Sequence, residues 1–283
     1  MSTPVTPART TIFPRRSMSG VDTRACLCAG YLVLLILLSF AAPFIIPYAP
    51  DQQDLVHALE GPSWAHLFGT DDLGRDILVR ALVGAQVSLY ACTLAVVVAC
   101  CLGIPVGLIA GFFGGWIDDL ISRLIDTMLS FPAIVLAIAV TGALGAGLTN
   151  AMIAIGLVYS PLLARLTRAQ TMVIRNELYV DAARCFGAST TRLMVKHILP
   201  NAVQPLIVQA TLLLATALLA ESGLSFLGLG VQLPHPSWGT MLARAYNYMD
   251  TSPSQMLVPG FAIMLTALSF NGLGEWLRIR LGP

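Results

Sequence analysis

The sequence predicts an all-α membrane protein with six transmembrane helices. Of its 283 residues, 56% are hydrophobic and only 11% are charged, against about 25% charged residues in a typical soluble domain. The charges are also unevenly placed, because runs of 37, 38 and 24 uncharged residues follow Arg80, Asp126 and Lys196. Together with a mean hydropathy of +0.77, these observations exclude an ordinary soluble domain and indicate a chain that crosses a membrane several times.

The uncharged runs define the predicted helices. One span needs about 20 apolar residues. The run after Asp126 would form a single helix of about 57 Å, almost twice the hydrocarbon thickness, so the string TGALGAGLTN is predicted to be a turn between two helices. Small residues four apart, Gly103, Gly107 and Gly111, favour close packing of the second helix. The six predicted helices cover residues 26–46, 86–112, 129–144, 148–164, 203–219 and 257–273.

A charged segment, residues 164–200, interrupts the apolar pattern. It holds six basic and two acidic residues, and burying eight charges in a bilayer would cost about 20 kcal/mol or more, so it is predicted to lie outside the lipid. A first helix is expected to continue to Phe186, where Gly187 ends it in the left-handed conformation. Ser189 then caps a second helix of about nine residues, which Pro200 ends. An ordinary basic loop has a similar composition.

The spacing within this segment is more specific than its composition. The string DAARCFG, followed by a dozen residues ending in LPN, resembles the EAA loop of bacterial ABC-importer permeases. Asp stands at 181 where that family has Glu, and His197 stands where Ile is usual, with Ile198 following directly. The resemblance implies a cytoplasmic coupling helix that docks on an ATPase subunit. The matching residues are Asp181, Ala182, Ala183, Gly187, Leu199 and Pro200.

A second string, FGTDDLGRDILVRAL, precedes the second predicted helix. It resembles a signature of the second permease subunit of dipeptide, oligopeptide and nickel importers. A polar loop with a glycine turn that leads into an amphipathic helix is an equally acceptable description. The resemblance implies family membership and no catalytic role. The matching residues, predicted to be extracytoplasmic, are Gly69, Thr70, Asp71, Gly74, Arg75 and Asp76.

Together the two strings resemble a type-1, MetI-like permease subunit of an ABC importer. The resemblance implies a sister permease, two ATPase subunits that bind ATP and Mg, an extracytoplasmic substrate-binding protein and the membrane lipid as partners. It implies no cofactor in this chain. Dipeptides or oligopeptides are the expected substrates, and nickel or another chelated metal ion is the alternative within the same branch.

The basic residues predict the orientation. With six spans and a cytoplasmic N-terminus, 13 of the 16 Lys and Arg residues would be cytoplasmic, as the positive-inside rule requires. The expected location is the bacterial plasma membrane, with both termini in the cytoplasm. The expected division is a disordered cytoplasmic tail (1–24), a first helix with an extracytoplasmic segment (25–85), a permease domain (86–277) and a cytoplasmic tail (278–283).

Other functions find less support in the sequence. No predicted span has a carboxylate, Lys or Arg in its middle, which disfavours an ion-coupled secondary carrier. No GxxxxGK[ST], HExxH or GxSxG string is present, so the energy is expected from a partner and catalysis is not expected. No polar filter indicates a passive channel. The six cysteines lie in or beside apolar runs or in the charged segment, which indicates neither disulfides nor a metal site, and no basic patch indicates nucleic-acid binding.

Overall fold

The computed structural model describes residues 18–281, which are predominantly helical and contain no β-strand. Short 3₁₀ turns lie at Leu55–His57 and Tyr246–Tyr248, and a π-helical turn lies at Leu193–Ile198. The α-helices are α1 (Met18–Ile45), α2 (Ile77–Phe113), α3 (Gly115–Leu129), α4 (Ala133–Leu144), α5 (Leu148–Ile174), α6 (Leu178–Cys185), α7 (Thr190–Arg192), α8 (Leu199–Phe226), α9 (Trp238–Ala245) and α10 (Ser254–Leu281).

Five stretches of helix are long and apolar enough to cross a membrane: α1, α2, α5, α10, and α7 to α8 taken together. The pair α3 and α4 passes the same test when the two are joined, although they meet at an angle of 95°. The all-α membrane fold is therefore confirmed, with six spans when the bent pair counts as one. The predicted turn before α5 is also confirmed, because α4 ends at Leu144 and α5 begins at Leu148.

The helices α2 and α5 form the centre of the bundle. A Cβ atom added at Gly103, Gly107 or Gly111 of α2 would lie 2.4 to 2.7 Å from a backbone oxygen of α5. Only glycine allows two backbones to approach this closely. The predicted close packing of this helix is thus confirmed, and α1, α8 and α10 pack around the pair.

Most helices extend beyond their predicted ends. The helix α2 begins nine residues early, within the predicted 25–85 unit, and α5, α8 and α10 each continue past their predicted C-terminal residues. The extended ends carry charged residues, some of which pair with neighbouring elements, as Arg280 does with Asp22 at 3.0 Å. The expected disordered tail is wrong for residues 18–24, which begin α1, and residues 1–17 lie outside the described residues. The expected C-terminal tail is helical as far as Leu281.

The predicted third helix, residues 129–144, is wrong as a straight span. Its polar lead-in forms the amphipathic helix α3, and the chain then turns at Ser130–Pro132 because a proline disfavours helix at the residue before it. The helix α4 has only 12 residues and is about 18 Å long, which is too short to cross the hydrocarbon alone. Two ion pairs hold α3 on α5, Asp118 with Arg168 and Asp126 with Arg165.

Candidate functional site

The first helix of the charged segment ends earlier than predicted. The helix α5 ends at Ile174, so the prediction of a helix continuous to Phe186 is wrong. At this end Arg175 donates hydrogen bonds from its guanidinium to the carbonyl oxygens of Gly111 and Phe112, at 2.8 and 3.0 Å. These bonds satisfy two of the free carbonyl groups at the C-terminal end of α2. The chain then becomes extended at Glu177 before α6 begins.

The predicted bend at Gly187 is confirmed. Gly187 has φ +79°, and its N–H donates to the carbonyl oxygen of Arg184 while the N–H of Ala188 donates to that of Ala183. This pair of bonds is the Schellman motif that ends helices at a left-handed residue. Ser189 caps the following helix, as predicted, by accepting from the N–H of Arg192. The segment from α6 to α7 is therefore an ordered elbow.

Pro200 does not end a helix, contrary to the prediction. Leu199 has helical dihedral angles, and Pro200 lies in the first turn of α8, which continues to Phe226. Proline is tolerated there, and the π-helical turn at Leu193–Ile198 adjusts the backbone just before it. The second helix of the segment is thus the start of a membrane span. A displacement of the elbow would be transmitted directly into α8.

The predicted coupling residues differ in how exposed they are on the elbow. Asp181 and Ala182 are exposed, and Asp181 pairs with Arg184 at 3.0 Å. Ala183 is partly buried and packs against the core of the bundle, so its small side chain also serves packing within this chain. The most exposed large apolar residues of the elbow are Leu178 and Phe186, at 86% and 92%. They were not singled out from the sequence, although large apolar residues among charges are a signal for a contact surface.

The signature segment folds into a buried cluster of polar groups. Asp71 accepts from the N–H groups of Leu73 and Arg75 at 2.9 and 3.0 Å, and its carboxylate pairs with the Arg75 guanidinium at 2.6 Å. A second arginine, Arg80, lies 3.6 Å from the same carboxylate. Asp71, Arg75 and Arg80 are all less than 10% exposed. Because both charges of each pair are removed from water, losing one partner would leave a buried charge uncompensated.

The remaining signature residues shape the backbone of this cluster. Asp76 caps α2 by accepting from the N–H of Val79 at 2.9 Å, and its other oxygen contacts His66 at 2.9 Å. Thr70 is fully buried and accepts from the N–H of Glu60. Gly74 has φ +72°, and an added Cβ would lie 1.7 Å from the backbone oxygen of Asp54. The structure thus brings the whole signature together, as a polar loop with a glycine turn that leads into a helix.

The cluster also joins two distant parts of the chain. Asp72 pairs with Arg244 of α9 at 3.3 Å, and Arg80 donates to the carbonyl oxygen of Pro50 at 2.7 Å. Trp238 of α9 is fully buried and donates its indole N–H to the carbonyl oxygen of Ala81. These contacts bind the loop after α8 to the segment before α2 and form one compact end of the bundle.

Glu221 lies within a helix, although the sequence predicted it to follow one. The sequence places it beyond the fifth helix, but α8 continues to Phe226 and Glu221 is completely buried within it. Its carboxylate accepts from Ser225 at 2.8 Å and from Ser222 at 3.4 Å, and Ser88 and Ser237 lie close to it. A carboxylate in a span is tolerated when polar partners surround it. The predicted end of the fifth helix at residue 219 is therefore wrong, because Glu221 lies in the last two turns of α8.

The two candidate sites lie at opposite ends of one helix. The signature segment caps the first residue of α2, and the coupling segment is bonded through Arg175 to its last turn. With 37 residues, α2 separates them by about 55 Å. The structure thus defines a helical membrane protein with a compact cluster of buried polar groups at one end and an exposed elbow at the opposite end. No group of three or more metal-ligating side chains lies among residues 18–281.

Comparison with known proteins identifies the family. Residues 103–282 match the binding-protein-dependent transport system inner membrane component, and residues 22–62 match the N-terminal membrane domain of oligopeptide transport permease C. The chain therefore belongs to the family of binding-protein-dependent inner-membrane transport components. Within that family it is a MetI-like ABC permease of the peptide branch.

Relatives with curated descriptions support the same branch. The glutathione transport system permease protein GsiD of Escherichia coli O6:K15:H31 is 43% identical over 260 residues, which cover 92% of this chain and 86% of that protein. The dipeptide transport system permease protein DppC of Alkalihalophilus pseudofirmus is 42% identical over 248 residues, covering 88% and 82%. The MetNI methionine ABC transporter, in an inward-facing conformation, shares the fold with a TM-score of 0.60, at 18% identity over 73% of this chain and 98% of the MetNI chain.

Proposed function

We propose that this permease carries small peptides through the membrane, driven by ATPase subunits that dock on the elbow between α6 and α7. The peptide substrate is supported by the relatives, whose names specify glutathione and dipeptides. Nickel or another chelated metal ion is the alternative substrate. The proposed partners are a sister permease, two ATPase subunits that bind ATP and Mg, and an extracytoplasmic binding protein. The elbow and both termini would face the cytoplasm.

The observation that carries the coupling proposal is the exposure of Phe186. An apolar side chain 92% exposed, in a segment too charged to enter the lipid, leaves about 2 kcal/mol of burial free energy available to a partner. Leu178, on the same short helix segment, is 86% exposed. Exposed large apolar residues in a charged segment are a feature of docking surfaces.

The elbow is also connected to the spans. Arg175 bonds the start of the segment to the last turn of α2, and the π-helical turn continues into α8 without a break. A force on Phe186 therefore reaches α8 through continuous backbone and α2 through the side chain of Arg175. In the proposed mechanism, ATP binding closes the ATPase subunits, the elbows move with them, and α5 and α8 change the side of the membrane to which the path opens.

The test is the variant Phe186→Ala in the complete transporter, reconstituted with its binding protein. We expect normal insertion and melting temperature, because Phe186 contacts little within its own chain. ATP hydrolysis stimulated by the loaded binding protein should fall at least tenfold, or the ATPase subunits should dissociate during purification. Phe44→Ala is the matched control, because Phe44 is 90% exposed near the C-terminal end of α1, outside the elbow, and it should behave as the parent protein.

Full peptide uptake by Phe186→Ala at normal expression would contradict docking at this elbow. Uptake by the purified single chain under a proton gradient, without ATPase subunits, would instead favour a secondary carrier. Accumulation of nickel with no peptide uptake would retain the coupling proposal and change the substrate.

A further inference from the structure

A groove lined by amide side chains lies where α5, α8 and α10 meet, at the elbow end of the bundle. Its volume is about 700 Å³, which is within the range of small-molecule sites. Gln170 comes from α5 and Asn201, Gln204 and Gln209 from α8, and apolar residues such as Val208 and Leu212 also line the groove. The groove therefore combines apolar and amide side chains and is large enough for a dipeptide or tripeptide.

The amides of the groove have free hydrogen-bonding capacity. Within residues 18–281, no group hydrogen-bonds to the side chains of Gln170, Gln204 or Gln209. Asn201 donates one N–H to the carbonyl oxygen of His197 at 2.6 Å, and its own side-chain oxygen stays free. Asn201 and Gln204 are exposed, whereas Gln170 and Gln209 are partly buried, and burying an amide is unfavourable unless it is hydrogen-bonded. The groove is thus suited to a polar occupant.

The groove has no unpaired charge among its described residues. Its one charged lining residue, Arg278, pairs with Glu275 of the same helix at 2.7 Å. Side-chain amides carry both N–H donors and a carbonyl acceptor, which complement the C=O and N–H groups of a peptide backbone. Such contacts do not depend on the side chains of the bound peptide. They would suit a permease that carries peptides of varied sequence.

Asn201 and Gln204 are three residues apart, and Gln204 and Val208 are four apart, so these side chains lie along one face of α8. The helix α5 leads into the elbow and α8 leaves it. Two walls of the groove are therefore the two helices that any movement of the elbow displaces first. The amides would be rearranged during each transport cycle.

We propose that this amide groove is a segment of the translocation path in which Gln204 and Gln209 bind the backbone of the transported peptide. The inference rests on the proposed peptide-transport function. The peptide backbone exchanges its hydrogen bonds to water for hydrogen bonds to the Gln204 and Gln209 side chains. Movement of the elbow then breaks these bonds to the protein. The amides act as binding groups and take part in no covalent step.

The test uses the double variant Gln204→Met/Gln209→Met, which keeps side-chain length but removes both amides. The complete transporter is reconstituted with its binding protein, and uptake of radiolabelled dialanine is measured together with ATP hydrolysis. We expect dialanine transported per ATP to fall about tenfold, the loss expected for two neutral hydrogen bonds. Stimulated ATP hydrolysis should be retained, which separates this result from the uncoupling expected of Phe186→Ala.

Two controls complete the experiment. Gln53→Met makes the same chemical change at an exposed residue far from the groove and should transport normally. Gln204→Asn/Gln209→Asn keeps both amides and should recover part of the lost uptake, whereas a purely packing role would not distinguish Asn from Met in this way. Unchanged dialanine per ATP in the methionine variant would overturn the proposal. Dissociation of the permease pair would also overturn it, by showing that the groove binds the sister permease.

Discussion

The signature segment and the coupling segment are both recognisable strings in the sequence, but the charged pairs of the first are buried and that of the second is exposed. In the signature segment, Asp71, Arg75 and Arg80 are buried and paired with each other. In the coupling segment, the comparable pair of Asp181 and Arg184 is about half exposed. Buried pairs determine local structure, whereas exposed pairs contribute little to stability. The comparison teaches that one string maintains the fold of this chain and the other presents a surface.

The largest expected effect comes from breaking the buried pairs. Asp71→Ala would leave Arg75 and Arg80 without their shared carboxylate, and we expect a loss of about 3–5 kcal/mol in stability. Asp181→Ala removes an exposed carboxylate and should change stability by less than about 1 kcal/mol. Melting temperatures of both variants in detergent would measure the difference. Similar melting temperatures would show that the two segments do not differ in this respect.

A second comparison uses glycines with similar backbone angles. Gly74 and Gly187 have φ of +72° and +79°, but an added Cβ meets a backbone oxygen at 1.7 Å in the first case and nothing within 4 Å in the second. Gly187→Ala should therefore cost only the left-handed penalty of roughly 1–2 kcal/mol. Gly74→Ala should cost more, because the Asp54 backbone must also move. Equal expression and thermal stability of the two variants would contradict this account.

Glu221 provides a third test, of intermediate size. Glu221→Ala removes the group that receives hydrogen bonds from Ser222 and Ser225, and we expect a loss of about 1–3 kcal/mol. Glu221→Gln keeps a side-chain acceptor, so peptide uptake should remain close to that of the parent protein. A carboxylate that served as a proton relay would fail in the glutamine variant as well. Uptake assays of the two variants therefore distinguish a structural carboxylate from an ion-coupling one.

The smallest expected effect concerns an exposed pair beside the signature segment. The hydrogen bond between Asp54 and His57 raises the pKa of His57 above 6.5 and lowers that of Asp54 below 3.8. The favourable contribution of the raised His57 pKa is fully present below pH 6.5 and is lost as pH rises through the folded-state pKa. That of Asp54 is present above pH 3.8 and is lost as pH falls through its lowered pKa.

The measurement is an NMR titration of His57 in the parent protein and in Asp54→Asn. The pKa of His57 should move back toward 6.5 in the variant, with little change in melting temperature, because the pair is exposed. An unchanged His57 titration would show that Asp54 does not determine it.

The sequence predicted the parts of the fold that depend on local composition. Runs without charges located the spans, Gly187 and Ser189 located the elbow, and the glycine series of α2 indicated close packing. Helix ends were predicted less well, because a helix can continue past the apolar run that crosses the membrane, as α5 and α10 do at the exposed residues Arg165 and Arg280. The bend between α3 and α4 was also missed, although Pro132 marks its position.

The sequence by itself determined that this chain is a helical membrane protein of a recognisable permease type, because hydropathy and motif spacing are properties of neighbouring residues. Only the tertiary structure decided which polar groups are buried. The burial of Glu221 within α8 is tolerated because Ser88 of α2 and Ser237 at the start of α9 lie close to it. The burial of Asp71 is tolerated because two arginines surround it. A charge can be buried when its partners converge in space, and that convergence is decided by the packing of helices that are distant in the chain.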